Sequence, residues 1–246
     1  MKWVNKGENL LFPPSCFFCH VSVSKSGCCK QCLQHIKPLL NPSCLRCGQA
    51  LSEGLAPGPC GKCLHFPPFQ IETVSLYAYQ GAVREAILIW KLGGDDAGVR
   101  WLVETARQRL KTLFQPDDLF IPVPMPFSRM QKSGQHHAAD LARLLAEAAG
   151  CEWDWQLLRR HGHQARQSAL SGLARRKNLR KSFCLDTDYL TSMQLKGILR
   201  KPVKGRVWVV DDIMTTGATL HYASKALGVL QQPIYAFSLA RTLRDR

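Results

Sequence analysis

The stretch Val207-Trp208-Val209-Val210-Asp211-Asp212-Ile213-Met214-Thr215-Thr216-Gly217-Ala218-Thr219-Leu220 predicts the fold of the chain. Its first four residues are apolar and mostly β-branched, which is typical of a strand buried on both faces in the centre of a parallel α/β sheet. Two acids end this run, and the small and hydroxyl residues from Thr215 to Thr219 follow. Apolar residues at helical spacing begin at Leu220. We therefore expect a strand, a loop and the start of a helix.

The loop in this stretch predicts an anion site. Backbone N–H groups, threonine hydroxyls, a glycine free to adopt positive φ and the positive end of a helix dipole converge there, so phosphate is the natural guest. Asp211 and Asp212 would repel a phosphate, and we expect them to face hydroxyl groups or a hydrated divalent cation instead. A sugar phosphate satisfies both requirements. The alternative is an ordinary strand whose aspartate caps a helix.

This stretch resembles the signature of type I phosphoribosyltransferases, in which an apolar strand and two acids precede a Thr-Thr-Gly-x-Thr loop. The resemblance implies that Asp211 and Asp212 bind the ribose hydroxyls of phosphoribosyl pyrophosphate (PRPP) and that Mg²⁺ bridges the sugar and the pyrophosphate. It also implies that a loop holds the 5-phosphate, made of Thr215, Thr216, Gly217, Ala218 and Thr219. The expected fold is a type I phosphoribosyltransferase-like parallel sheet flanked by helices, an α/β architecture.

Cysteines dominate the amino-terminal part of the chain. Eight of the eleven cysteines form Cys-x-x-Cys pairs, namely Cys16/Cys19, Cys29/Cys32, Cys44/Cys47 and Cys60/Cys63. Two such pairs complete a tetrahedral Zn²⁺ site with no open position, so we expect two structural zinc ions, one on the first two pairs and one on the last two. An alternative is that the pairs are interleaved between the two metals, and Cys28 could replace Cys29 as a ligand. Thiol redox chemistry is the competing interpretation of all four pairs. Such modules contact nucleic acid or a protein partner, or are purely structural.

Composition and charge limit the class of partner and the location expected for the protein. The chain has 246 residues, a formal net charge of +15 and a pI near 9.6, which points to an anionic partner, either a phosphate-rich small molecule or nucleic acid. Met1 to Pro14 contains no continuous apolar segment and nothing later approaches an 18-residue apolar run, so we expect a cytoplasmic protein without membrane insertion. The proline-rich segment His65 to Phe69 divides a zinc module (1–65) from a larger domain (66–246).

Hydrophobic periodicity predicts the other elements of the larger domain. We expect strands at Ile71–Tyr79, Leu119–Pro124, Trp153–Leu158 and Ile234–Leu239, and helices at Ala82–Leu92, Gly98–Phe114 and His136–Ala149.

The order of these features resembles the ComF/GntX family, which is linked to competence and to the use of external DNA. The resemblance rests on the zinc module, a helix ending near Lys91, the Pro122-Val123-Pro124 turn, a basic segment and the PRPP loop, and it covers nearly the whole chain. It implies that Arg129, Lys132 and Lys91 neutralise pyrophosphate. One departure is Ser133 to His137, where the family has Arg-Gly-Phe-Asn-Gln and only Gly134 is retained. His136 and His137 are candidate replacement donors, or else surface residues.

A basic segment lies between the Pro122-Val123-Pro124 turn and the PRPP loop. Its cations accumulate without an acid between Trp155 and Leu185, and they are Arg159, Arg160, Arg166, Arg175, Arg176, Lys177, Arg180 and Lys181. In type I enzymes the corresponding region contains a loop that closes over PRPP. The alternatives are a patch for a nucleic-acid backbone and a solvated basic helix.

Two functions follow from these motifs. The first is a phosphoribosyltransferase, a glycosyltransferase that passes the ribosyl group of PRPP to an unidentified nitrogen nucleophile, or a PRPP binder, in nucleobase or nucleotide salvage linked to external DNA. The second is a non-enzymatic zinc-bearing protein that binds single-stranded DNA or a DNA-uptake protein and keeps the PRPP loop as a sensor or relic.

Overall fold

The computed structural model describes residues 13–39, 43–52, 54, 56, 58–126, 130–131, 134–161, 179, 182–195 and 205–243. The helices are α1 Lys30–His35, α2 Gly61–His65, α3 Gly81–Gly93, α4 Ala97–Thr105, α5 Arg107–Leu113, α6 His137–Ala149, α7 Thr187–Leu195 and α8 Ala218–Leu227. The strands are β1 Thr73–Ala78, β2 Leu119–Pro122, β3 Glu152–Trp153, β4 Leu158–Arg160, β5 Phe183–Leu185, β6 Val207–Met214 and β7 Ile234–Arg241.

A parallel sheet forms the centre of the described part of the chain. Its five strands lie in the order β1-β7-β6-β2-β3, and every neighbouring pair is parallel. Strand β6 is the middle strand, and Val207, Trp208, Val209 and Val210 are all fully buried, as the apolar run predicts. Strands β4 and β5 form a separate antiparallel pair. The predicted α/β class, a parallel sheet flanked by helices and preceded by a cysteine-rich module, is confirmed.

Helices cover both faces of the sheet because side chains along a strand alternate between faces. Trp208 and Val210 join one apolar cluster with α3, α4, α5 and α6. Val207 and Val209 join the other cluster, which includes Leu220 of α8. Strand β6 is thereby fixed in register from both sides, and its carboxyl end projects the residues that follow Val210.

A buried carboxylate anchors the opposite, amino end of the sheet. Asp118 is inaccessible to solvent and accepts hydrogen bonds from the guanidinium of Arg206 at 2.6 and 3.0 Å, from the indole of Trp208 at 3.0 Å and from the backbone N–H of Gln115 at 2.9 Å. Arg206 also stacks over the Trp208 ring, 5.3 Å from its centroid. A buried acid of this kind is tolerated because both of its oxygens have donors.

The cysteine-rich module packs against the edge of the sheet. The Leu39 N–H donates to the Leu76 carbonyl at 2.8 Å, and the Ala78 N–H donates to the Lys37 carbonyl at 3.0 Å, so the segment around Pro38 pairs antiparallel with β1. Cys16 and Phe18 belong to the same apolar cluster as α4. The division into residues 1–65 and 66–246 stays a prediction, and the two parts share hydrophobic contacts.

The central strand and one predicted helix differ from the structure in ways that affect the site or the packing. The strand expected to end before the acids runs on to Met214, so Asp211 and Asp212 lie inside β6 rather than after it. The helix predicted from Gly98 to Phe114 is wrong, since it breaks at Ala106 into α4 and α5. The Leu102 carbonyl accepts hydrogen bonds from the hydroxyls of Tyr77 (2.8 Å) and Thr105 (3.0 Å). These side chains compete with the helical ladder at that point.

The strand predicted from Trp153 to Leu158 is also wrong. A turn separates β3 from β4, because the Asp154 carboxylate accepts from the backbone N–H groups of Gln156 at 2.7 Å and Leu157 at 3.2 Å.

None of the described helices combines the length and the apolar character needed to cross a membrane.

Replacing Asp118 tests the anchor at the amino end of the sheet. We expect Asp118→Ala to lower the free energy of unfolding by about 3 to 5 kcal/mol, because it leaves the part-buried Arg206 guanidinium and the Trp208 indole without their acceptor. The neighbouring Asp117 is exposed, so Asp117→Ala serves as the matched control with an expected change below about 0.5 kcal/mol. Urea denaturation of the two variants makes the comparison, and equal stability losses would contradict the role given to Asp118.

Candidate functional site

The carboxyl end of β6 leads into a short loop and a helix start. Thr215 and Thr216 are exposed, Gly217 adopts φ 78° and ψ 3°, and α8 begins at Ala218, two residues earlier than the apolar pattern predicts. Position 217 favours glycine because of that φ, and an added Cβ would lie 2.6 Å from the Met214 methyl carbon, so the flexible Met214 side chain would have to shift as well. The first N–H groups of α8 have no partner within the helix, so the loop can bind an anion.

The two acids of β6 point to opposite faces of the sheet, as successive strand residues do. Asp212 lies on the side of α3, where the Lys91 ammonium group contacts its carboxylate at 2.7 Å. The Asp212 backbone N–H donates to the Asp211 carboxylate at 3.0 Å. Lys91, predicted to reach pyrophosphate, is thus an ion-pair partner of Asp212, and its contact with a ligand stays a prediction.

A cavity of about 510 Å³ joins the acids and the loop. Its lining includes Lys91, Asp211, Asp212 and the loop residues Thr215, Thr216, Gly217 and Thr219, and also Val123 to Pro126 together with His136 and His137. The structure therefore brings Lys91, which is distant in sequence, together with the two acids and the loop that directly follows them.

Arg160 is a cavity residue that sequence reasoning did not assign to the site. It lies on β4, and its guanidinium carbon is 5.3 Å from the centroid of the Phe183 ring on β5. Only its place at the start of the basic segment gave a signal. The antiparallel pair β4–β5 is what carries this cation to the cavity, and the pairing of strands far apart in sequence could not be predicted from the segment itself.

The surroundings of His136 favour a neutral imidazole. Backbone N–H groups face both of its ring nitrogens, from Met125 to Nε2 at 3.2 Å and from Ala139 to Nδ1 at 3.1 Å. A protonated ring would direct its own N–H bonds at these donors, and a neutral ring accepts at one nitrogen at a time. Burial lowers the pKa of His136 in agreement with this geometry. The ring thus caps α6 and fixes the preceding turn, and a role for His136 as a donor to a ligand stays a prediction.

His137 also differs from the surface residue considered from the sequence. It is 6% exposed, its ring meets the Trp90 ring edge-on with centroids 4.7 Å apart, and its Nε2 lies 3.0 Å from the Gln135 side-chain oxygen. Burial lowers the pKa of His137, whereas the nearby charge of Asp212 acts in the opposite direction. Both histidines thus form part of the cavity wall.

The protonation of Asp211 is set by its surroundings. Burial, together with the negative charge of Asp212, raises the pKa of Asp211 to about 7, while Lys91 acts in the opposite direction. The Asp211 carboxyl group is therefore harder to ionise than an exposed aspartate. A ligand that brings a cation or several hydroxyl donors would favour the fully ionised pair.

The amino-terminal cysteines form two groups in the described residues. One consists of Cys16, Cys19, Cys29 and Cys32, and the other of Cys44, Cys47, Cys60 and Cys63, with all sulfur atoms of a group within 4.8 Å of one another. This is the sequential arrangement predicted from the spacing. The Cys28 sulfur lies outside both groups and is 3.4 Å from the Cys29 carbonyl oxygen.

The donor sets fit Zn²⁺. Sulfur atoms are 3.8 Å apart between Cys19 and Cys29 and 3.9 Å apart between Cys47 and Cys60, close to the ~3.8 Å edge of a tetrahedron with Zn–S bonds of about 2.3 Å. The Cys60 backbone N–H donates to the Cys44 sulfur at 3.1 Å, which stabilises a thiolate. Four thiolates leave no open position, so the two sites are structural in kind.

Two groups of predicted residues lie outside the described part of the chain. Arg129 and Lys132, assigned to pyrophosphate, belong to the first, and the second comprises most of the basic segment, including Arg166, Arg175, Arg176, Lys177, Arg180 and Lys181.

Zinc analysis of two adjacent cysteine variants tests the ligand assignment. We expect two zinc ions per wild-type chain, one in Cys29→Ser and two in Cys28→Ser, because Cys29 and not Cys28 belongs to a four-sulfur group. Elemental analysis of the purified variants gives the count. Loss of zinc from Cys28→Ser with retention in Cys29→Ser would reverse the assignment.

The pH dependence of stability tests the environment of Asp211. Its folded pKa lies above the ordinary value of 3.8, so the unfolded chain releases the proton first and ionisation destabilises the fold as pH rises from about 4 to about 7. We therefore expect Asp211→Asn to raise the free energy of unfolding relative to wild type at pH 8 more than at pH 4. Urea denaturation at both pH values checks this, with Asp117→Asn as the exposed control, and a difference independent of pH would contradict it.

Parts of the chain are similar to a known domain family and to solved structures. Residues 8–64 match the family described as the double zinc ribbon domain. Among solved structures, a hypoxanthine phosphoribosyl transferase of Trypanosoma cruzi is similar to 58% of this chain and 64% of its own chain, with 17% identity and a TM-score of 0.33.

Curated relatives match most of the chain. The DNA utilization protein YhgH of Salmonella typhi is 29% identical over 86% of this chain and 89% of its own length. Competence protein F of Haemophilus influenzae is 28% identical over 92% and 96%, and competence protein ComFC of Bacillus subtilis is 27% identical over 62% and 56%. The chain is thus similar to DNA utilization and competence proteins, and its residues 8–64 match a double zinc ribbon, as the resemblance to the ComF/GntX family predicts.

Proposed function

We propose that the protein binds PRPP with Mg²⁺ and transfers its phosphoribosyl group in nucleobase or nucleotide salvage linked to the uptake or use of external DNA. The observation that supports this most directly is the single cavity that joins Asp211 and Asp212 to the glycine-capped loop at the start of α8. Such a cavity offers acceptors for sugar hydroxyls or a hydrated cation at one end and N–H donors for phosphate at the other.

The proposed pose assigns a role to each part of the cavity. The 5-phosphate binds the loop from Thr215 to Thr219, and the ribose hydroxyls donate to Asp211 and Asp212. Mg²⁺ supplies positive charge between the sugar and the pyrophosphate when it is bound. Lys91 forms an ion pair with Asp212 at 2.7 Å.

The chemistry required of these residues is mainly electrostatic. Departure of pyrophosphate builds positive charge on the ribose, as at other glycosyl centres, and the two carboxylates lie where they would stabilise that charge. Arg160 lines the same cavity and, with Arg129 and Lys132, is proposed to neutralise the leaving group. A nitrogen nucleophile then attacks the anomeric carbon.

The link to DNA rests on the relatives and on charge. The relatives carry the names DNA utilization protein and competence protein, and the net charge of +15 suits an anionic partner. We further propose a cytoplasmic location and a division into a zinc module and a phosphoribosyltransferase-like domain. A DNA-binding protein that does not use PRPP is the second candidate, supported by the same names.

Calorimetric titration with PRPP and Mg²⁺ tests the proposed function. We expect saturable binding to the wild-type protein and a loss of affinity of about tenfold or more in Asp211→Asn/Asp212→Asn, since the charge-assisted bonds to the sugar and the cation are removed. Affinity should rise as pH increases through about 7, because Asp211 becomes ionised.

The matched control is Asp188→Asn, which removes an exposed acid from the first turn of α7. Its affinity for PRPP should equal that of the wild-type protein. Absence of binding to the wild-type protein would reject the proposal. Salt-sensitive retardation of single-stranded DNA would then favour the second candidate.

A further inference from the structure

The second four-cysteine group is connected to the phosphate loop by one buried side chain. Arg241 is the last residue of β7, is 2% exposed, and donates hydrogen bonds to the Cys47 carbonyl oxygen and, at 2.9 Å, to the Gln49 side-chain oxygen. Cys47 is one of the predicted zinc ligands. A guanidinium offers several donors in a rigid plane, so it can hold the backbone of this cysteine turn in one position.

The same residue borders the loop through the sheet. Arg241 is paired with Met214 in the register of β7 and β6, and the Thr242 N–H donates to the Met214 carbonyl at 3.0 Å. Met214 directly precedes Thr215, and its methyl group fills the space beside Gly217. A short path of bonded and packed atoms therefore runs from Cys47 through Arg241 and Met214 to Gly217.

The space between the two features is a second cavity of about 400 Å³. Cys60 and Cys63 line it together with Thr216, Gly217 and Arg241. The second cysteine group and the loop thus border one cavity, and Thr216 and Gly217 also line the cavity with the acids. The first group has a different neighbourhood, since Cys16 and Phe18 pack into the apolar cluster with α4.

The charge of Arg241 is opposite to the net charge of a zinc site with four thiolates. Zinc with four thiolates carries about two net negative charges, for which a nearby buried guanidinium is a counterion. Without the metal, the cysteine turn that receives Arg241 is no longer held by four bonds to one centre. Arg241 and the residues that follow it would then lose a fixed partner.

We propose that zinc in the second site positions the phosphate loop through Arg241, so that metal binding there and PRPP binding are thermodynamically coupled. Arg241 is a positioning residue in this scheme and does not touch the ligand. The inference rests on the proposed function for its ligand. The coupling itself concerns the loop, and it can be measured without PRPP.

The main experiment measures both directions of the coupling. In the wild-type protein, saturating PRPP and Mg²⁺ should slow the release of one of the two zinc ions to a chelator, because coupling between two sites is reciprocal. Arg241→Lys should keep two zinc ions, lose that protection and bind PRPP about tenfold more weakly, since an ammonium group cannot hold both acceptors in the same plane.

The matched control is Arg46→Lys. Arg46 is adjacent to Cys47 in the same turn and donates to the carbonyls of Ile71 at 3.0 Å and Pro68 at 3.3 Å, so it joins the turn to the chain before β1 and not to the loop. It should change thermal stability without changing PRPP affinity or zinc protection. Equal PRPP affinity in Arg241→Lys and the wild-type protein, or equal losses in both variants, would overturn the proposal.

Hydrogen exchange separates failure of this inference from failure of the proposed function. If the wild-type protein does not bind PRPP, the proposed function is rejected and the coupling is decided on the loop alone. Arg241→Lys should then increase amide exchange in Thr215 to Thr219 relative to Arg46→Lys, while exchange in α3 stays the same. Unchanged exchange in the loop would reject the coupling as well.

Discussion

The candidate site depends on two adjacent carboxylates near the carboxyl end of β6, a strand whose other residues are all apolar. Val207 to Val210 are fully buried between two layers of helices, so the strand cannot shift, and Asp211 and Asp212 are carried to the edge of the sheet with it. Lys91 offsets part of their repulsion, while burial and the charge of Asp212 raise the pKa of Asp211. A site that is unfavourable when empty is suited to a ligand that supplies positive charge or hydroxyl donors.

The sequence determined the centre of this arrangement well, because the signals there are local. The strand, the two acids and the loop are contiguous from Val207 to Thr219, so their order in the chain is enough to predict that they meet. The cysteine pairs are likewise recognised from their fixed spacing. The extension of β6 through the acids was missed, since two aspartates usually end a strand. Pairing with β7 on one side overrides that preference, as shown by the register of Asp211 with Ser238.

Features that depend on contacts between distant segments were not predictable. The break at Ala106 arises from the hydroxyl of Tyr77, which lies on another element. The contact of His136 with the backbone N–H of Met125 spans a turn, and nothing in the adjacent histidines indicates it. Arg241 carries no motif at all, and its role is visible only when the cysteine turn is seen against the end of β7.

The antiparallel pairing of the segment around Pro38 with β1 has a consequence for the apo protein. This pairing occupies the outer hydrogen-bonding groups of a strand at the border of the sheet. Removal of the metal would free the segment, and an unpaired border strand recruits strands from other molecules. The metal content of the chain would thus govern its tendency to self-associate, so purification under chelating conditions would yield aggregates rather than a monomer with a loosened amino terminus.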